Sequence, residues 1–200
     1  MQLKFRNQYR EFIQPVTAED IIGNINDVIG SDYLFSHMNA DGIEIYDNQE
    51  QFLSNNLPNI QVLEIIAYTS TEFISNSLRD AENYLEGAIK EFDTLSDGFY
   101  NTPGTDEWTK FSEMLEGMQW INLVISSIDR LKEKPENWSE FTSISDKLQS
   151  ELRMLEEAIE KNDFVLIADL IQYELLPLYE MLDKEIKKAL GTKGLNNNVN

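Results

Sequence analysis

The sequence predicts an α+β protein in which a small N-terminal domain is followed by an antiparallel bundle of about four long helices. Three observations predict it. Apolar residues in 1–69 alternate in short runs around one helical stretch; from Ser70 the apolar period changes from 2 to 3.6; and the breaks between the later helical stretches are short and rich in Gly, Pro and Asn. The expected organisation is an α+β domain over 1–69, a helical bundle over 70–191 and a disordered tail over 192–200.

Leu3 and Phe5 alternate with polar neighbours in 2–6, Asn7-Gln8 is a turn signal, and 9–14 continues extended to Pro15, giving a hairpin. Thr17, with Glu19 and Asp20 following, is close to a capping box. It opens a helix over 18–29 whose Ile21, Ile22, Ile25, Val28 and Ile29 form one stripe, and Gly30 ends it. Residues 33–38 and 43–46 are strands around the Asn39-Ala40-Asp41-Gly42 turn, 49–55 suits a short helix, and 60–67 is the last strand. This order resembles the topology of ubiquitin-like β-grasp domains, in which Met1-Gln2 and the Pro15…Thr17–Asp20 helix entry have counterparts. The resemblance implies a first strand parallel to the last, and a binding module. It does not imply conjugation, because Ala67-Tyr68-Thr69-Ser70 leads into a helix where a conjugated modifier would end in Gly-Gly.

The first long helix, 70–96, places Phe73, Ile74, Leu78, Leu85, Phe92 and Leu95 on one stripe, and Asp97-Gly98 is expected to break it. Thr105 is the expected cap of the second, which runs to about Lys134 ahead of Pro135. Asn137 with Glu140 caps the third, and Asp163 caps the fourth, which Gly191 stops. The second helix is apolar nearly all round. Trp120 and Leu123 lie off its Phe111–Ile128 stripe, so the small domain or another chain is expected to cover them. Pro177 should bend the fourth helix at 175–177 and leave the Tyr173 carbonyl unpaired.

Hydrophobic residues make up 42% of the 200, enough for a core, and there is no cysteine. The net charge is −20, divided as −7 over 1–69 and −13 over 70–200. Neither part has the basic excess that phosphate backbones or anionic membranes require, so no nucleic acid and no membrane is expected as partner. Residues 1–20 lack a signal-peptide apolar region, and the apolar stretch between Glu116 and Asp129 is too short for a bilayer, which points to the cytoplasm.

His37 is the one histidine, in a strand, with no cysteine or serine partner for nucleophilic chemistry. Glu156, Glu157 and Glu160 lie off their helix stripe, as a solvated face would, and a hairpin turn explains Asp41, Glu44 and Asp47. Gly87 and Gly117 read as small residues at helix contacts. No catalytic residue, cofactor or metal is expected. Aromatics too numerous for one four-helix core mark an interface, and the interaction residues expected are Trp108, Trp120, Leu123, Tyr173, Pro177 and Tyr179. The expected function is a non-enzymatic intracellular protein–protein interaction module, acting as adaptor, assembly factor or export-type chaperone, as small acidic helical bundles of bacteria do. Its partner is a protein or a second copy of the chain. The competing expectation is a small-molecule binder or enzyme with a pocket between the α+β domain and the bundle.

Overall fold

The computed structural model describes residues 1–13 and 15–191; the expected disordered tail, 192–200, lies outside the described residues. The chain divides into two compact units, Met1–Phe73 and Ile74 onward. The first contains a five-stranded mixed sheet, and long helices follow it.

The first unit begins with a hairpin of β1 (Gln2–Phe5) and β2 (Gln8–Glu11), turned by Arg6 at positive φ. Helix α1 (Ala18–Ile29) opens on the expected capping box, completed by Thr17 and Asp20, and ends at Gly30 with φ 61°. Strands β3 (Leu34–Ala40) and β4 (Ile43–Ile45) pair antiparallel across the Asp41-Gly42 turn. After α2 (Gln49–Asn56) and a 3₁₀ turn (Leu57–Asn59), β5 (Val62–Tyr68) enters the sheet. The strand order is β2-β1-β5-β3-β4, with β1 parallel to β5 as the sequence expects. Leu3, Phe5, Met38, Leu63 and Ile65 face Ile21 and Ile25 of α1 in one core. Each such buried apolar side chain contributes about 1.5–3 kcal/mol.

The second unit is built from α3 (Ser70–Tyr100), whose first residues belong to the sheet unit, α4 (Thr105–Asp129), α5 (Trp138–Glu160) and a fourth helical segment. That segment is α6 (Phe164–Asp169), a π-helical turn (Leu170–Leu175) and α7 (Leu176–Gly191). Neighbouring helices run antiparallel. Phe99 meets Trp108 near the α3–α4 connection and Tyr84 meets Trp120 far from it. Likewise Gln172 reaches Asp93, whereas Lys187 reaches Glu86.

Several helix ends differ from the sequence expectation. Asp97-Gly98 does not break α3, because Gly98 packs under Glu107: a Cβ there would lie 2.5 Å from Glu107 Cγ. The helix stops at Tyr100, ahead of Thr102 at φ 70°. Gly104, not Thr105, caps α4, and the Glu107 carboxylate accepts the Gly104 N–H at 2.8 Å. Helix α4 ends at Asp129, short of Lys134. Asn137 holds the expected N-cap position of α5 but makes no side-chain cap bond; its amide donates to the Glu185 carbonyl and carboxylate instead. Leu176 N–H donates to Ile171 five residues back, so the segment widens into a π turn immediately before Pro177 and stays helical.

Candidate functional site

An open cleft of about 690 Å³ lies between α3 and α4. Its floor is Gly87 and Ala88, its apolar walls are Phe92, Leu95 and Met114, and Tyr84 closes one end. Glu91, Glu113 and Lys110 stand at the rim, and Lys110 spans it to Glu91 at 3.2 Å. Gly87 lines it with open space at its Cβ position.

Gly117 on α4 plays the opposite part. A Cβ there would fall 1.7 Å from the Tyr84 hydroxyl, so the missing side chain admits the tyrosine. Tyr84 also meets Trp120 edge-on at 5.7 Å between ring centroids. Burial pushes the Tyr84 hydroxyl above its ordinary pKa and pushes Tyr179 higher still. Tyr179 is fully buried against Phe92, with the Tyr84 hydroxyl beside its own.

A second groove, of about 450 Å³, runs between α5 and the α6–π segment. Met154 and Tyr173 are exposed on it at 45% and 65%, beside Leu166 and Leu170. Three carboxylates line it. Asp169 accepts a hydrogen bond from Tyr100. Glu151 Oε2 is shielded from solvent without a hydrogen-bond partner; burial, then the neighbouring Glu174, raise its pKa above the ordinary carboxylate value. The π turn also faces α3, where Gln172 donates to Asp93 at 2.8 Å and accepts from Ser96.

The six residues singled out from sequence do not form one patch. Trp108 is half-buried among Phe99, Phe111 and Phe164. Trp120 is half-buried beside Tyr84, while Leu123 is 64% exposed. Pro177 and Tyr173 are exposed and Tyr179 is interior, so Tyr179 offers no surface; its position among Phe92 and Tyr84 fills the bundle core. Cleft residues Gly87, Ala88 and Met114 went unremarked as a site, because a gap has no sequence signal of its own.

His37 does have a serine neighbour: Ser36 Oγ lies 3.0 Å from His37 Nδ1. Its Nε2 is 4.0 Å from Glu44, and Tyr46 stacks on the ring. Asp41 serves the fold. Its carboxylate accepts the N–H groups of Gln61 and Val62 at 2.9 and 2.8 Å, which hold its pKa below the ordinary range. Glu156, Glu157 and Glu160 are exposed. Among the described residues no cluster of three His, Cys, Asp or Glu side chains is placed to hold a metal, and no helix is long and apolar enough to cross a membrane.

A family model described as a domain of unknown function (DUF8042) matches residues 76–185, which includes the α3–α4 cleft and the α5–π groove. No curated protein and no solved structure matches the chain.

Proposed function

The chain belongs to the DUF8042 family, and from that premise we propose that it is a non-enzymatic protein–protein interaction module whose α3–α4 cleft receives a segment of a partner protein. The observation that carries this reading is the cleft itself: open, mainly apolar, and placed on two long helices inside the family segment. Its shape suits an apolar anchor side chain, for which Gly87 and Ala88 leave room. Glu91 and Glu113 at the rim and a net charge of −20 favour a partner segment with basic residues flanking that anchor.

The sheet unit contributes a second binding surface under the ubiquitin-like reading. Supporting it are the β2-β1-β5-β3-β4 order, the parallel β1–β5 pair and the single long helix α1 packed on the sheet. A cytoplasmic setting accords with the cysteine-free composition. A small-molecule ligand is the second reading, favoured by one observation: the cleft volume, about 690 Å³, falls in the range of roughly 300–1,000 Å³ common for such pockets.

The test begins with cross-linking the full chain in its own host and identifying the attached protein. That protein, purified, is then titrated calorimetrically against wild type and Gly87→Leu. The expected result is saturable binding that Gly87→Leu weakens by about tenfold or more, with its helical content retained. Equal binding by both proteins would overturn the cleft assignment, and a metabolite released on denaturation in place of any partner would favour the second reading.

A further inference from the structure

Building on the role proposed for the α3–α4 cleft, we infer that the segment it receives is an amphipathic α-helix with basic residues on both sides of its apolar stripe. The walls of the cleft are turns inside α3 (residues 83–95) and α4 (residues 110–114), where backbone N–H and C=O groups bond within each helix. An extended segment entering there would press its own N–H and C=O groups against Phe92, Leu95 and Met114, which offer them no partner. A helix bonds its own backbone and brings only side chains to the contact.

The dimensions agree. Residues 83–95 of α3 rise about 18 Å, the length of about 12 residues of a docked helix. Gly87 and half-buried Ala88 keep this stretch of α3 low, with open space at the Gly87 Cβ position, so a second helix can approach closely. Its large apolar residues, one or two turns apart, then rest on Phe92 and Met114. Charge decides what flanks them. Glu91 stands on the α3 rim and Glu113 on the α4 rim, so a helix lying between has an acid on either side. Lys110 is engaged with Glu91, whereas Glu113 makes no ion pair among the described residues. Basic flanks complement both rims. A second copy of this chain fits less well, because a net charge of −20 opposes self-association.

The test uses the full chain, isotopically labelled, and three blocked peptides of about 14 residues, slightly longer than the cleft. The first places Leu and Ala on one helical face and Lys on the rest; the second has the same composition with apolar residues and Lys in alternation; the third carries Glu for every Lys of the first. The helical Lys peptide should shift the Met114 methyl and the amides of Gly87, Ala88 and Glu91 saturably, and gain helical circular dichroism on binding. The alternating and Glu peptides should each bind about tenfold more weakly or worse, and Gly87→Leu should weaken the helical Lys peptide by a similar factor with the remaining spectrum unchanged. Equal affinity of the alternating peptide for the cleft would overturn the helix and leave the cleft's role standing, and equal affinity of the Glu peptide would overturn the basic flanks. Shifts centred elsewhere, or none that saturate, would overturn the inference as a whole. Failure of the cleft's role itself shows separately, as equal binding of the cross-linked partner by wild type and Gly87→Leu.

Discussion

Two glycines on facing helices give opposite answers to one substitution. Gly87 lies inside α3, is exposed, and has open space above its Cβ position. Gly117 lies inside α4, is buried, and has the Tyr84 hydroxyl 1.7 Å from its Cβ position. An interior helical glycine costs about 1 kcal/mol relative to alanine, so Gly87→Ala should stabilise the helical unit by about 0.5–1 kcal/mol. That raises Tm by roughly 2–6 °C for a unit of this size. Gly117→Ala gains the same propensity but must expel the Tyr84 ring from its seat beside Trp120, and overpacking of this kind costs about 1–3 kcal/mol. Its net effect should be destabilising. Trp108, Trp120 and Trp138 all lie in the helical unit, so urea unfolding followed by tryptophan fluorescence reads both variants directly. Gly87→Ala lowering the midpoint would refute the open cleft, because something would then occupy the space over Gly87.

Glu151 has a raised pKa in the folded state, so its contribution to stability is full below the ordinary carboxylate value of 4.5 and falls as pH rises through the folded value. Glu151→Gln should therefore stabilise the protein at neutral pH and lose that advantage in acid, as denaturant midpoints across pH would record. Asp41 behaves with the opposite sign. Its lowered pKa adds stability above the ordinary value of 3.8, lost as pH falls through the folded value; Asp41→Ala should speed hydrogen exchange at Val62 near neutrality and match wild type in strong acid. Pro177→Ala supplies the missing N–H and should stabilise the fourth helical segment by up to about 3 kcal/mol, with the π turn relaxing to α-helical register. A destabilised variant in thermal melts would instead credit the π turn to the Gln172 contacts with Asp93 and Ser96.

What was legible in the sequence is what depends on local period and local chemistry. Alternation at Leu3 and Phe5, the Thr17–Asp20 capping box and the Asp163 cap all reappear as read, the last accepting the Leu166 N–H at 3.0 Å. What escaped depends on contacts distant in sequence. Asp97-Gly98 has the composition of a break, but Glu107 from the next helix packs over it. Gly87 and Gly117 look alike in the sequence, and only the presence of Tyr84 over one of them separates a tight contact from an open cleft. Strict alternation places Ser36 and His37 on opposite faces of a strand. A register shift between Phe35 and His37 breaks that alternation and brings the two side chains within hydrogen-bond distance. Glu151 resembles any other acid on α5; its isolation arises only where Glu174 and Tyr173 come round on the π turn.

Hydrogen–deuterium exchange on the full chain, alone and saturated with its purified partner, tests the interaction-module account most directly. Docking in the cleft should slow exchange across residues 83–95 of α3 and 110–114 of α4, and Gly87→Leu should abolish that protection. Protection confined to other elements, or unchanged in Gly87→Leu, would contradict it.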